Sequence, residues 1–235
     1  MRPRLPRRRA FTIAEMLMAL TIAGFVSAGT AAFLHQAVLT YYVNRARLII
    51  NRDIRSFTTT MDTDAVTANY FAIYPGFSTR STTVGSVTTD AALADGGVGD
   101  FLVLIYTDPA QTGTGVSMIN RIVGYYREIT NSTLNTGPVH RFDLTISPAV
   151  SASSAPLYQI LNTYVTGTAA SYPTITQIAQ GLENNAALNA PITSLFYNFK
   201  NRSILISAQV SELQTEAGNG TQTGNTYNFT VSPRG

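Results

Sequence analysis

The segment RRRAFTIAEMLMAL, residues 7–20, passes from a basic to an apolar composition in a single step. Three arginines lead into Phe11, and Glu15 is the only ionisable residue of the apolar run that follows, residues 11–34. At about 1.5 Å per residue this run forms a helix of about 36 Å, which is long enough to cross the hydrocarbon core of a bilayer. The arginines before it predict a cytoplasmic N-terminus and an exported C-terminal body.

The basic character of the chain belongs to its first ten residues. The chain has 235 residues, 45% hydrophobic and 12% charged, and its pI is near 9.3. Five of the 16 basic residues precede Phe11, so the remaining 11 face 13 acidic residues, a net charge of −2. Because the body lacks basic character, no nucleic-acid partner is expected. The absence of cysteine excludes disulfides, thiol catalysis and Cys-ligated metals.

Beyond Leu34 the helix is predicted to continue with an amphipathic half, residues 35–60, because no proline occurs between Pro6 and Pro75. Apolar residues recur there mostly at helical spacing: Val38, Tyr42, Ala46, Ile49, Ile54, Phe57 and Met61. Charged residues are expected on other faces: Arg45, Arg47, Arg52, Asp53 and Arg55. We predict one helix from Phe11 to near Thr58, ended by the stretch TTTMDTD, with an apolar stripe that needs a surface to pack against.

The remainder, residues 61–235, is predicted to be a β-rich head. Apolar or alternating runs predict six strands: FLVLIY (101–106), RIVGYYREI (121–129), RFDLTI (141–146), SLFYNF (194–199), SILISAQV (203–210) and YNFTV (227–231). A tight hairpin turn is predicted at Lys200-Asn201-Arg202, one short helix near residues 174–184, and long loops at residues 76–100, 107–117, 147–156 and 216–226. The expected fold class is α+β, a long N-terminal helical spine packed on an antiparallel sheet.

Two ordinary export signals explain part of the N-terminal segment. A secretory signal could be cleaved before Phe33, but its apolar core would exceed the usual 7–15 residues and would contain Glu15. A twin-arginine signal explains Arg8, Arg9 and Phe11 and leaves Glu15 unexplained. These alternatives would make the chain an exported periplasmic protein, an enzyme included, or a singly anchored surface-binding protein.

The whole pattern RRRA-FTIAEMLMALTIAGFVSAG resembles the cleavage and methylation segment of type IV pilins and of the pseudopilins of type II secretion. In that family a prepilin peptidase cuts after Gly, or less often Ala, before a residue that is usually Phe, and methylates the new amine. The resemblance implies cleavage between Ala10 and Phe11, with N-methylation of Phe11. The family's glutamate, four residues after the cut, corresponds to Glu15. The departure is Ala10, where Gly is commonest.

The resemblance also implies an assembly role for Glu15, which would meet the N-terminal amine of a neighbouring subunit. A charged group within lipid is costly, less so near its edge, so an incoming subunit that supplies a positive charge is favoured and the pair sets the axial stagger. Small residues at helical spacing would let neighbouring helices approach closely: Ala19, Ala23, Gly24, Ala28 and Ala32. An alanine-rich span without a packing role explains them equally well.

The body is similar, more loosely, to J-type minor pseudopilins and W-type minor pilins. The similar segments are RLIINRDIRSF, GDFLVLIY, RIVGYYREI with VHRFDLTI, SLFYNFKNRSILISAQV and FTVSPRG. The resemblance implies a structural subunit without catalytic residues, which crosses the inner membrane once and has a periplasmic head. Its implied partners are the prepilin peptidase, other major and minor pilin-like subunits, the inner-membrane assembly platform and the lipid bilayer.

Other candidate sites are weak. The stretch from Asp95 to Asp100, DGGVGD, resembles a calcium-binding glycine repeat but is one residue short and occurs once. A turn before the next strand is the first interpretation, and a calcium site using Asp95 or Asp100 is the alternative. Asp62 and Asp64 could serve such a site equally well and are more simply solvated. The only histidines, His35 and His140, have no suitably spaced partners and are expected to be structural. No other cofactor is expected.

Overall fold

The computed structural model describes residues 11–108, 117–130, 137–165, 176–183, 194–214 and 221–234. The chain divides into two compact units, Met1–Arg45 and Ala46–Gly235. The first contains the N-terminal part of a long helix, and the second contains the remainder of that helix and every β-strand of the described residues.

The long helix, α1, spans Ile13–Thr67 and has 55 residues. It continues nine residues beyond Thr58, so the prediction that TTTMDTD ends it is wrong. Threonines of this region are accommodated because their hydroxyls donate to carbonyl oxygens one turn earlier: Thr58 to Ile54 at 2.7 Å and Thr63 to Thr59 at 2.8 Å. These hydroxyls therefore find hydrogen-bond acceptors within the helix and do not disrupt its backbone hydrogen bonds.

The predicted apolar stripe of α1 is confirmed in the second unit, with two corrections. Ala46, Phe57 and Met61 are buried as expected, whereas Ile50 is buried more fully than Ile49. Asp53, expected on another face, is also buried, because it follows Ala46 by seven residues and therefore by about two turns. Its carboxylate pairs with the exposed Arg52 at 3.1 Å.

The head is built on antiparallel strands, and the α+β fold class is confirmed. Within the described residues, nine strands form one sheet in the order β1-β5-β6-β7-β8-β10-β9-β4, with β11 also paired to β10. A separate hairpin is formed by β2 and β3. The strands are β1 Tyr70–Tyr74, β2 Ser81–Val84, β3 Val87–Asp90, β4 Val98–Gly99, β5 Phe101–Asp108, β6 Met118–Arg127, β7 Gly137–Ser151, β8 Thr176–Glu183, β9 Phe196–Phe199, β10 Ser203–Gln214 and β11 Thr221–Val231.

Strand β5 is apolar without alternation because both of its faces are buried. Leu102 and Leu104 belong to the core that includes Phe57 of α1. Phe101, Val103 and Ile105 belong to a second core on the opposite face, which includes residues of a short helix, α2, Leu157–Tyr164. This helix was not predicted, and it covers the face of the sheet that α1 leaves free.

The helix predicted near residues 174–184 is wrong, since β8 occupies Thr176–Glu183. Its backbone pairs with β7 on one side and with β10 on the other. The apolar residues of this short segment fit both the helical repeat of about 3.6 residues and the strand repeat of two. Pairing with the neighbouring strands therefore decides its conformation. The β2–β3 hairpin likewise falls where a long loop was expected, within residues 76–100.

The predicted turn between β9 and β10 is confirmed. Lys200 and Asn201 both have φ of 54°, and the Arg202 N–H donates to the Phe199 carbonyl at 3.1 Å. Two central residues with positive φ are the mark of a type I′ turn, whose twist suits a tight antiparallel hairpin.

A single stretch of chain joins the two ends of the sheet. Strand β4, at one end of the strand order, is separated from β5, near the other end, only by Asp100. Gly99 lies at this junction against β1, and a Cβ atom there would overlap the Tyr74 carbonyl oxygen. The junction therefore requires glycine, and Asp100 next to it is in a position to contact both ends of the sheet.

Candidate functional site

The first turn of α1 is closed by a reciprocal pair of hydrogen bonds. The Thr12 N–H and hydroxyl donate to Glu15 Oε2 at 2.9 and 3.0 Å, and the Glu15 N–H donates to Thr12 Oγ1 at 3.3 Å. This is a capping box, which satisfies N–H groups that a helix start otherwise leaves without partners. Phe11 immediately precedes it and is 80% exposed. Ala10, on the other side of the predicted cut, lies outside the described residues.

The capping box adds a local role for Glu15 that the sequence reasoning missed. The signal was present, since Thr12-Ile13-Ala14-Glu15 is the pattern of a capping box at the start of an apolar run. The two roles are compatible, because a carboxylate has about four acceptor positions and the contacts with Thr12 use only some of them. Glu15 can therefore cap its own helix and still accept a hydrogen bond from a cation.

The small residues predicted to pack lie in two rows along α1. Ala19 and Ala23 continue the row that begins at Glu15, because four residues are slightly more than one turn. The other row is formed by Gly24, Ala28 and Ala32. All five are exposed, and nothing lies within 4 Å of the position of a Cβ at Gly24. Both rows are therefore available to another helix or to lipid.

Among the residues that the structure describes, α1 is the one helix long and apolar enough to cross a membrane. Large apolar side chains just before and within its first part are exposed: Phe11, Ile13, Leu17, Phe25 and Phe33. Its threonines are internally satisfied, since Thr21 donates to the Leu17 carbonyl at 3.1 Å and Thr30 to the Val26 carbonyl at 2.8 Å. Such pairing lowers the cost of placing a hydroxyl in lipid.

In the second unit the buried Asp64 lies at the centre of a partly buried polar cluster. The expectation that it is solvated is wrong, because it is only 6% exposed. Its carboxylate accepts hydrogen bonds from the Tyr125 hydroxyl and from Arg141, at 2.8 Å from Nε and 3.2 Å from Nη2. Arg121 Nη2 lies 3.8 Å away. The Tyr106 hydroxyl donates to the Asp64 carbonyl oxygen at 2.7 Å.

Asp143 completes what we call the Asp64 cluster, namely Asp64, Arg121, Tyr125, Arg141 and Asp143. Asp143 accepts a bidentate pair of bonds from Arg121, at 2.8 and 2.6 Å, and a third from Arg141 at 2.9 Å. The hydrogen bond from Arg121 lowers the pKa of Asp143, although partial burial opposes the shift. Burial alone would lower the pKa of Arg141, but its hydrogen bond with Asp64 and the charge of Asp64 raise it. The carboxylates of Asp64 and Asp143 thus lie against the guanidinium groups of Arg121 and Arg141 in one network of ion pairs.

The two carboxylates proposed for calcium both accept hydrogen bonds from protein donors. Asp95 is exposed, and its Oδ1 accepts the Lys200 N–H at 2.5 Å. Asp100 is 7% exposed and accepts Arg127 Nη2 at 2.8 Å and the Leu195 N–H at 2.9 Å. Burial raises the pKa of Asp100, and Arg127 opposes that shift. The turn interpretation is confirmed, since Gly96 has φ of 79° and β4 and β5 follow.

The His140 side chain contacts two neighbouring side chains. Its ring stacks on Tyr126 at 5.1 Å between centroids, and its Nε2 lies 3.1 Å from Glu128 Oε2. Within the described ranges, no three His, Asp or Glu side chains lie together in a way that could hold a metal ion.

The candidate site is therefore the start of α1: Phe11, the Thr12–Glu15 capping box and the exposed apolar helix surface that follows. This arrangement is suited to binding, because Glu15 can accept hydrogen bonds from a cation and the apolar surface can contact lipid or another helix. Searches against known proteins found no family model that matches the chain, and no curated protein or solved structure that matches it.

Proposed function

We propose that the chain is a minor pseudopilin-like structural subunit of a type II secretion or type IV pilus-like filament, which primes or caps a periplasmic pseudopilus. It would cross the bacterial inner membrane once, with a cytoplasmic N-terminus and a periplasmic head. One observation carries the proposal. The apolar segment that contains Glu15 belongs to the same unbroken helix, Ile13–Thr67, whose later residues Phe57 and Met61 lie in the core of the head.

The position of the predicted cut is consistent with this proposal. Cleavage after Ala10 would remove the five arginines and leave the capping box of Thr12 and Glu15 intact. The new amine of Phe11 would lie one residue before the helix cap, where it is exposed and positively charged at neutral pH. Cleavage before Phe33 would instead discard the capped turn and the Glu15 row of small residues.

We expect mass spectrometry of the chain purified from membranes to find a mature N-terminus at Phe11 that carries an added methyl group. In a host without prepilin peptidase, residues 1–10 should be retained. A matched variant, Ala10→Gly, should be processed at least as completely as the wild type. Replacing both Arg8 and Arg9 by lysine should leave export unchanged, because the proposal requires positive charge rather than a twin-arginine motif.

Three results would contradict the proposed function. A mature chain beginning at Phe33 would identify a secretory signal. Loss of export in the double lysine variant would identify a twin-arginine substrate. Intact residues 1–10 in a host with active peptidase would identify a simple membrane anchor.

The assembly role of Glu15 can be separated from its capping role by two conservative variants. Glu15→Gln keeps an acceptor for Thr12 and removes the charge, whereas Thr12→Val removes the capping hydroxyl and keeps the charge. We expect Glu15→Gln to insert normally but to enter filaments about tenfold less, equivalent to about 1.4 kcal/mol of lost charge pairing. Thr12→Val should assemble almost normally, since losing a cap costs only about 1 kcal/mol of helix stability.

The measurement is the fraction of chain that co-sediments with sheared filaments when the neighbouring pilin-like subunits are co-expressed. Normal assembly of Glu15→Gln together with failed assembly of Thr12→Val would assign Glu15 to helix capping alone.

A further inference from the structure

The uncharged part of α1 is longer than a membrane core. Between Glu15 and Arg45 the helix carries no Asp, Glu, Lys or Arg. These 30 steps along the helix span about 45 Å, whereas a hydrocarbon core is about 30 Å thick and a whole bilayer with its headgroups about 40–45 Å. The charged residues alone therefore leave the depth of the helix undetermined.

Two polar side chains within this stretch limit the depth at which α1 can lie in the bilayer. The side chains of His35 and Gln36 each carry a hydrogen-bond acceptor. In the middle of a helix the backbone N–H groups already donate to backbone carbonyls, so they cannot also donate to these two side chains. The hydroxyls of Thr21 and Thr30 differ, because they donate to carbonyls one turn earlier. His35 follows Glu15 by 20 residues, or about 30 Å, which equals the thickness of the hydrocarbon core.

The residues after His35 suit a headgroup layer. Tyr41 is 64% exposed, and its ring lies 5.8 Å from that of Tyr42 in an edge contact. Tyrosine is enriched where hydrocarbon meets water, and arginine forms strong hydrogen bonds with phosphate. Helical side chains lean toward the N-terminus, so Tyr41, Tyr42 and Arg45 lean back toward the membrane while Glu15 leans out of it.

We propose that α1 lies in the bilayer with Glu15 at the inner edge of the hydrocarbon and His35 at its outer edge, so that Tyr41, Tyr42 and Arg45 contact phospholipid headgroups of the outer leaflet. This depth rests on the proposed function, which makes α1 a single membrane span. The competing depth is centred between Glu15 and Arg45. It would place residues 20–40 in the hydrocarbon, bury His35 and Gln36 there and move Glu15 about 7.5 Å into the inner headgroup layer.

The two depths are distinguished by single-cysteine labelling, which is free of background because the chain contains no cysteine. Met18→Cys and Val38→Cys lie near opposite ends of the span and exchange environments between the two depths. Membrane-impermeant maleimide is added to spheroplasts, to reach the periplasmic side, and to inverted inner-membrane vesicles, to reach the cytoplasmic side. Phe25→Cys is the control for the core and Asn44→Cys the control for the aqueous side.

At the proposed depth, Val38→Cys reacts from the periplasmic side at least about tenfold faster than Met18→Cys reacts from the cytoplasmic side, because only residue 18 lies in hydrocarbon. The opposite order would overturn the proposed depth and leave the single span in place. Labelling of Phe25→Cys as fast as Asn44→Cys would show that α1 does not span the membrane, and would overturn the proposed function itself.

A second variant tests the headgroup contact. Replacing Tyr41 and Tyr42 together by leucine extends the apolar surface, so the outer boundary should move outward and Val38→Cys should become protected by about tenfold. The matched control is Arg55→Ala, an exposed position of the same helix about 15 Å beyond Arg45, which should leave labelling unchanged. Unchanged labelling of Val38→Cys in the double leucine variant would remove the role given to the tyrosines.

Discussion

Replacing Asp64 by asparagine is expected to lower the free energy of unfolding by about 3 kcal/mol, because it removes the buried carboxylate from a partly buried cluster of opposite charges. Arg141 would lose its ionic partner on α1, and the Tyr125 hydroxyl would lose a charged acceptor. Asp143 alone cannot balance both Arg121 and Arg141. The variant therefore leaves an uncompensated positive charge between the helix and the sheet.

The measurement is urea unfolding of the full chain in detergent, followed by far-UV circular dichroism. Asp62→Asn is a matched control, since Asp62 precedes Asp64 by two residues on the same helix but is exposed, and its change should stay within about 0.5 kcal/mol. Equal effects of the two substitutions would show that the cluster contributes little to stability.

The same unfolding curves at lower pH provide an internal check. The pKa of Asp143 is lowered in the folded chain, so its contribution to stability is complete above the unfolded value near pH 4 and is lost as the pH falls through the lower folded value. The free energy of unfolding of the wild type should therefore fall below about pH 4, because protonation of Asp143 removes its ion pairs with Arg121 and Arg141.

Replacing Asp100 by alanine is expected to have an effect of similar size, about 3–5 kcal/mol, for a related reason. The Arg127 side chain is only 1% exposed, and the substitution removes its carboxylate partner. The Leu195 N–H, before β9, loses its acceptor at the same time. Because Asp100 joins β4 to β5, the loss falls where the two ends of the sheet meet.

Asp95→Ala is the control for this prediction, because Asp95 is exposed and its contact with the Lys200 N–H should contribute less than about 1 kcal/mol. The wild type and both variants are unfolded thermally with millimolar calcium and with a chelator. A wild-type melting temperature that rises with calcium, and does not in Asp100→Ala, would contradict a purely structural role and favour the calcium site.

The features that could be predicted from the sequence depend on neighbours close in the chain. The I′ turn at Lys200 and Asn201 and the start of α1 are both settled by contacts within three or four residues. The run of β5 was recognisable because burial on both faces selects β-branched and aromatic side chains without alternation. The capping box was equally local, and it could have been predicted from the spacing of Thr12 and Glu15.

The features that were missed depend on partners distant in the chain. Arg141 reaches Asp64 across 77 residues, and Arg127 reaches Asp100 across 27, so neither carboxylate could be recognised as buried from its own surroundings. The phase of Asp64 with Phe57 and Met61 was the one available hint. Strand β8 was missed for the same reason, since its conformation is decided by pairing with β7 and β10.

The joining of the sheet ends at Asp100 also protects strand β1 from unwanted pairing. A strand at the edge of a sheet presents free N–H and carbonyl groups, which invite strands from other molecules. Here the Ile73 carbonyl of β1 accepts the Leu93 N–H at 2.8 Å, and the Asp100 N–H donates to the Pro75 carbonyl at 3.1 Å. The Ile73–Pro75 end of this edge is thereby hydrogen-bonded to the chain's own backbone. In a protein proposed to assemble through a helix, these bonds leave fewer groups at this end of the sheet to which a strand of another molecule could pair.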